Sequence, residues 1–337
     1  MPIVSSNSGV DLRSLQTLGF ILKTFGIAEA IRVQQPLGSP RRAYIWKLEC
    51  ADGTTYVVRQ HHRHDLTRQV IARLHQFILF VGSRTTLVRR PLIDKNGSSV
   101  IEVNGVLYSV FPYVFGEAGS LSSGTRISAA KNLAQFHSCS RLFHSSWSTE
   151  ISRESLASLG HLFSSESRDS PLAKLISTAR LAEIASRASS RLAILPPGPI
   201  AICVVHGDFH PENVITISDS VTSFIDYDSL RRTERSYDIA VGMDTFSISR
   251  NSSMINWKNA ISFVQNYHAR DSLSPIEWRM LPDLIIRRNL LVIWWIASRA
   301  GSTLTDSSKE SIMRHAGRAL HAASFATENL LSVDTTD

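Results

Sequence analysis

The strongest constraint on this chain is the run His206-Gly207-Asp208-Phe209-His210-Pro211-Glu212-Asn213. It sets an acid and an amide five positions apart on one tight loop. A strand-like run, Thr222-Ser223-Phe224-Ile225, follows and ends in a second acid, Asp226. Singly these residues are ordinary, since a loop Asp turns the chain and a loop Asn caps something. Together they form a chemical set. Asp208 can take the proton of an attacking hydroxyl, while an amide oxygen (Asn213) and a carboxylate (Asp226) can hold Mg²⁺ against nucleotide phosphates. Phosphoryl transfer requires these donors.

The rest of the chain supplies elements for two lobes. With 337 residues, 43% of them apolar, it can bury sizeable cores. Apolar spacing predicts an amphipathic helix over 11–28, with Leu12, Leu15, Leu18, Ile21, Leu22 and Phe25 on one face, and another over 65–81. Strands are expected over 43–50 and 54–59 around Asp52-Gly53, and over 99–103 and 106–111 around Asn104-Gly105. Residues 126–137 read as a helix. The Ser-rich stretch 140–170 has weak periodicity and is expected to be a surface insertion. Pro171 to Ile194 reads as one helix begun by its proline. Ser274-Pro275-Ile276-Glu277 opens another helix with a capping box; that helix, or a continuation after Pro282, carries Leu284 to Ser298 in a helical core, with Trp294-Trp295 packed inside it.

The net charge of +7 admits anionic partners. The excess is scattered in pairs such as Arg41-Arg42, Arg89-Arg90, Arg231-Arg232 and Arg287-Arg288, so no nucleic-acid partner is expected. No apolar stretch reaches the about 20 residues a bilayer span needs, and the N-terminus lacks a signal-peptide apolar core. The three cysteines, Cys50, Cys139 and Cys203, show no metal-ligand spacing. A cytoplasmic protein without a membrane partner is expected. The adjacent histidines His61-His62-Arg63-His64 lack the spacing of a zinc site and read as a loop.

The loop and the segment Ile225-Asp226 resemble the HGDxHPxN and IDxx patterns of the aminoglycoside phosphotransferase/choline kinase-type family of small-molecule kinases. Leu133-Ala-Gln-Phe-His137 resembles that family's helix after the hinge, and Tyr237-Asp238-Ile-Ala240 its DxA segment. The resemblance implies an α+β, bilobal, protein kinase-like fold. Residues 1–111 would form a small β-rich nucleotide-binding lobe, 112–116 a hinge, and 117–337 a larger helical lobe for catalysis and substrate.

The same resemblance implies the site. Asp208 is the base, and Asn213 and Asp226 hold Mg²⁺. Arg59 takes the ATP phosphates, where an arginine stays charged and can bind bidentately. The backbone near Pro112 and Val114 holds adenine, and Gly38 lies in a phosphate-covering loop. His206 ties the loop to the metal segment, and Asp238 buttresses it, unless Asp238 merely caps a helix. Gly207 stands where regulated protein kinases carry an arginine, which favours a small-molecule kinase. The helix over 65–81 has no Glu to orient Arg59. Gln69 or His75 would have to fill that place, although His75 reads better as a packed helix residue. Asp228, Glu234 and residues near Arg287-Arg288 are candidates to line the acceptor. The acceptor itself is a sugar, an amino alcohol, a hydroxy amino acid such as homoserine, or an aminoglycoside-like compound, with a neutral or zwitterionic one favoured by the basic chain. A non-catalytic nucleotide-binding module is the alternative.

Overall fold

The computed structural model describes residues 12–28, 30–34, 43–61, 67–144, 155–248, 252–300 and 303–329. The chain divides into two compact units, Met1–Glu117 with Thr222–Asp228, and Ala118–Val221 with Ser229–Asp337.

The first unit is built on one antiparallel sheet. After α1 (Leu12–Thr24) come β1 (Ala30–Gln34), β2 (Ala43–Cys50), β3 (Thr55–His61), α2 (Arg68–Gly82), β4 (Ile101–Val103) and β5 (Val106–Pro112). The strand order is β1-β2-β3-β5-β4. Both tight turns follow from their residues. Gly53 takes φ +80°, and Asp52 Oδ1 accepts a hydrogen bond from Thr54 N at 2.9 Å. Asn104 and Gly105 both have positive φ (52° and 77°), the turn that matches strand twist in a two-residue hairpin. Leu18, Ile21 and Leu22 of α1 share a core with Val33, Trp46, Leu48, Val58 and Val110 of the sheet. Helix α2 begins at Arg68, three residues later than expected, behind the N-cap Thr67, whose hydroxyl accepts from Val70 N. Leu74, Phe77, Ile78 and Val81 are buried as the periodicity required, with Ile71 and His75.

The chain leaves this unit through β6 (Glu117–Ala118). The second unit is mainly helical: α3 (Ser123–Arg141), α4 (Leu156–Ser164), α5 (Pro171–Leu175) and α6 (Thr178–Ala193) precede β7 (Ile202–Val205) and β8 (Val214–Ile217). In β9 (Ser220–Phe224) the chain crosses back to the first unit. There Phe224 N donates to Leu87 O at 2.8 Å, and Ser223 Oγ donates to the same carbonyl at 3.1 Å. After β10 (Arg231–Glu234), the helices α7 (Ser236–Thr245), α8 (Trp257–His268), α9 (Pro275–Arg299) and α10 (Asp306–Asn329) complete the second unit. Its core includes Leu133 and Phe136 of α3, Phe263 and Tyr267 of α8, and Ile285, Ile286 and Leu290 of α9.

The Ser274 capping box forms, and α9 runs unbroken through Pro282. Three expectations fail. The Ser-rich stretch is not only a surface insertion, because α4 lies within it: Ser155 caps it and Leu156, Leu159 and Phe163 are buried. Residues 171–194 make two helices, because Ile176 is extended (φ −143°, ψ 158°) and Ser177 caps a new start. Trp295 is 40% exposed and stacks under Arg299 at 4.2 Å instead of packing in the core. His61 belongs to β3, where Nε2 meets Ser109 Oγ at 2.9 Å, while residues 62–64 lie outside the described ones. Among the described residues, no helix is long and apolar enough to cross a membrane.

Candidate active site

Strand β7 delivers the HGD loop from the interior of the second unit. His206 is fully buried, with its ring edge-on to Phe209. Its backbone N donates to Asp238 Oδ2 at 2.6 Å, and Gly207 N donates to Asp238 Oδ1 at 2.8 Å. Asp238 also meets His137 Nε2 at 3.1 Å, and His137 Nδ1 meets Tyr267 Oη at 2.9 Å. Burial alone would push the Asp238 carboxyl up. The His137 hydrogen bond, the charge of the His137 and His206 rings and the Gly207 N–H outweigh it, and the carboxyl titrates below its usual range. Asp238 sits in the first turn of α7, but its side chain reaches out to the loop. His137, the last residue of Leu133-Ala-Gln-Phe-His137, is a third layer of the same support.

Gly207 has φ +82°, and a Cβ there would fall on the carbonyl oxygen of Ser229. The loop thus needs glycine twice over, for its backbone angle and for the close approach. Arg231 Nη2 donates to Gly207 O at 3.3 Å, and its guanidinium lies 4.1 Å from the Tyr237 ring.

The Asp208 carboxylate is partly exposed (side chain 21%), 3.5 Å from His210 Nε2 and 3.7 Å from Arg288 Nη2. Asn213 closes a short 3₁₀ turn, Pro211–Asn213. Its Nδ2 donates to Asp208 O at 2.8 Å and lies 3.0 Å from His210 Nε2. That assignment leaves Oδ1, a hard-cation donor, as the amide's other pole.

In the first unit, Arg59 on β3 is largely buried. Its Nη2 donates to Asp226 Oδ1 at 3.2 Å and, by a short bond, to Asp228 Oδ2. Burial would weaken the guanidinium charge, but Asp228 and then Asp226 outweigh it and hold the proton more tightly than usual. Asp226 takes φ +61°, a left-handed conformation a non-glycine residue rarely adopts. Helix α2 offers Arg59 no partner from the expected places. Gln69 is exposed. His75 is buried, bonded through Nδ1 to Ser99 Oγ at 2.8 Å and edge-on to Phe111. Burial first, then the Arg59 charge, lowers its pKa to about 4, so it stays neutral beside Arg59.

The remaining expected positions are less concentrated. Glu234 on β10 pairs with Arg287 Nη1 at 3.3 Å and accepts from Thr233. Pro112 ends β5, and Tyr113 N donates to Thr55 O at 2.9 Å just before Val114. Gly38 lies outside the described residues. Two contacts escaped the sequence reading. The grip of Asp228 on Arg59 was signalled only by a second acid two positions after Asp226. The approach of Arg288 to Asp208 spans eighty positions and had no local signal. Among the described residues, no group of three or more His, Cys, Asp or Glu is set to hold a metal. An ion held by one amide, one carboxylate, phosphate oxygens and water would not form such a group.

A mixed α+β chain with an antiparallel N-terminal sheet, a helical C-terminal region and an HGD loop pinned from below is a kinase-like protein. The chain belongs to the phosphotransferase enzyme family, which it matches over residues 34–271, more than half its length. It is therefore a small-molecule phosphotransferase. The fold is similar to that of a microcompartment-associated aminopropanol kinase, at 16% identity, TM-score 0.69, with 94% of this chain and 98% of that one covered. It is also similar to an amicoumacin kinase in complex with AMP-PNP and Ca²⁺, at 14% identity, TM-score 0.67 and coverage of 86% and 88%. A Plasmodium vivax ethanolamine kinase aligns at 16% identity, TM-score 0.60 and coverage of 94% and 91%. No curated protein matches the chain significantly.

Proposed function

We propose that the protein is an ATP- and Mg²⁺-dependent kinase that phosphorylates a hydroxyl group of a small molecule. The observation that carries this reading is the pinned loop. The N–H groups of His206 and Gly207 are both fixed by Asp238, so the Asp208 carboxylate is presented from a rigid base. In that role Asp208 orients the acceptor hydroxyl and takes its proton as the new bond to phosphorus forms. Preorganisation counts here because a base that must be ordered at the moment of reaction loses rate.

Asn213, through Oδ1, and Asp226 are the proposed ligands of Mg²⁺. When bound, the ion neutralises charge on the phosphates during transfer. Arg59 is the proposed phosphate cation. Its Nε is buried with no hydrogen-bond partner among the described residues, and a phosphate oxygen would satisfy it. Adenine would rest on the backbone at Pro112 and Val114. The nucleotide analogue and divalent ion named with the amicoumacin kinase support a nucleotide-metal substrate. A cytoplasmic setting, where ATP and Mg²⁺ are abundant, suits this reaction.

The second reading, a non-catalytic nucleotide-binding module, drew its force from the missing helix acid. Asp228 beside Arg59 removes much of that force, and a mere binder has no use for Asp208. Thermal unfolding with ATP or GTP, with and without Mg²⁺, tests the proposal on the wild type and on Asp226→Ala. Nucleotide at about 100 times its Kd stabilises a fold by about 2.7 kcal/mol. A Mg²⁺-dependent shift that disappears in the variant, with ADP release once an acceptor is added, is the expected result. No shift with either nucleotide would sink the kinase reading.

A further inference from the structure

Arg288 is anomalous. Its side chain is 11% exposed, and among the described residues its guanidinium makes no hydrogen bond. Its Nη1 is buried without a partner, and its Nη2 only approaches Asp208 Oδ1, at 3.7 Å. A guanidinium carries five N–H donors, and burying them unmet is costly. The neighbouring arginines are engaged. Arg231 donates to Gly207 O and lies on Tyr237, while Arg287 pairs with Glu234 and faces the same ring. The buried Asp244 accepts at Oδ2 from Asn289 Nδ2 at 3.1 Å, and its Oδ1 lies 3.9 Å from Arg318 Nη1. Asp244 Oδ1 is itself buried without a hydrogen bond among the described residues, and the carboxyl feels the Arg318 charge more than that of Arg288. The surroundings of Asp208 in this unit are thus cationic, with one arginine held ready beside the proposed base.

Resting on the kinase reading, we infer that Arg288 binds an anionic group of the acceptor, and that the substrate is a hydroxy acid or hydroxy amino acid whose carboxylate satisfies the unmet N–H donors. A carboxylate matches the planar fork of arginine. Binding there would place a hydroxyl of the same small molecule next to Asp208. A polycationic aminoglycoside would be repelled by the same residue.

The test uses acceptor pairs that differ only by a carboxylate: homoserine and 3-aminopropanol, serine and ethanolamine, glycerate and ethylene glycol. ADP release should favour the acid of the productive pair by about 100-fold or more in kcat/KM. In Arg288→Met that ratio should collapse to within about tenfold, and Arg288→Lys should keep part of it. Any effect of Arg288 on Asp208 itself falls on both members of a pair and cancels in the ratio. A preference for the amine or neutral partner, or for kanamycin, would overturn the inference. So would an equal loss with every acceptor, which would assign Arg288 to the base or the transferred phosphoryl group.

A second measurement needs no turnover. Glycerate and homoserine, without nucleotide, should raise the unfolding temperature of the wild type and not of Arg288→Met. Equal responses overturn the inference even where the Mg²⁺-nucleotide shift stands, whereas loss of that shift alone overturns only the kinase reading. Arg288→Met by itself should unfold at the wild-type temperature or above it, since it removes a largely buried guanidinium that makes no hydrogen bond among the described residues. A fall of several degrees would make the guanidinium structural and defeat the proposal.

Discussion

Arg59 donates from a single nitrogen to two carboxylates, Asp226 Oδ1 at 3.2 Å and Asp228 Oδ2, and Asp228 is the more buried of the two acids. The proposed phosphate cation is therefore held by the segment that carries Asp226, the proposed metal ligand. No residue of α2 takes part. Replacing Asp228 with Ala should leave Arg59 misdirected and raise the KM for ATP about 10- to 100-fold, the worth of one charge-assisted hydrogen bond. The effect on kcat should be smaller. Placing an acid back on the helix, as His75→Glu, should recover part of the loss, because His75 already feels the Arg59 charge. ADP-release kinetics across ATP concentrations read both effects. An unchanged KM would show that Arg59 needs no orienting partner.

Asp208→Asn should keep Mg²⁺-dependent nucleotide binding and lower turnover about 10²- to 10⁴-fold, the usual contribution of a positioned general base. The loop's anchors at Asp238 are backbone N–H groups, so this change leaves them intact. Full turnover in Asp208→Asn, measured with the best acceptor, would remove Asp208 from its role.

How much of this was legible beforehand depends on whether the signal was local. The hairpins announced themselves through Asp52-Gly53 and Asn104-Gly105, whose positive φ values follow from residue type. The capping box at Ser274 and Glu277 is likewise a four-residue pattern. Helix α4 was hidden because only Leu156, Leu159 and Phe163 carry its buried face within a serine-rich stretch. The α5–α6 break was hidden because it turns on the extended backbone of Ile176, a residue type that helices accept. Of the site, the HGD loop and its acids could be read from their spacing. The contacts of Arg59 with Asp228 and of Asp208 with Arg288 could not, because tertiary packing alone brings them together.

Gly207→Ala tests the close approach beneath the loop. The substitution adds a side chain at φ +82° and drives its Cβ into Ser229 O. Backbone strain of this kind costs about 1–3 kcal/mol by itself, and the contact with a fixed carbonyl adds to it. Urea unfolding should show a loss of about 2–4 kcal/mol. Gly26→Ala, at φ +66° but in open space, is the control and should cost about 1 kcal/mol. Equal losses at the two sites would mean that Ser229 moves aside freely.

Acid sensitivity should trace in part to His75. Its folded pKa is lowered to about 4 by burial and then by Arg59, against the usual imidazole value of 6.5. The unfolded chain therefore takes up this proton first. Above about pH 6.5 the group contributes fully to stability, and the contribution drains away as pH falls through 6.5 towards 4. At about 1.4 kcal/mol per unit, the total loss is about 3 kcal/mol. The buried ring of His315 is shifted in the same direction, by burial and then by Arg288, Arg318 and Arg314. The wild type must therefore be compared with a variant lacking only one of the two. In His75→Gln, the fall in unfolding free energy between pH 6.5 and pH 4 should be smaller than in the wild type by about 3 kcal/mol. The two curves should run parallel above pH 7, offset by any difference in packing. Parallel curves down to pH 4 would mean that His75 accepts its proton in the folded state, and that the Arg59 charge is screened from it.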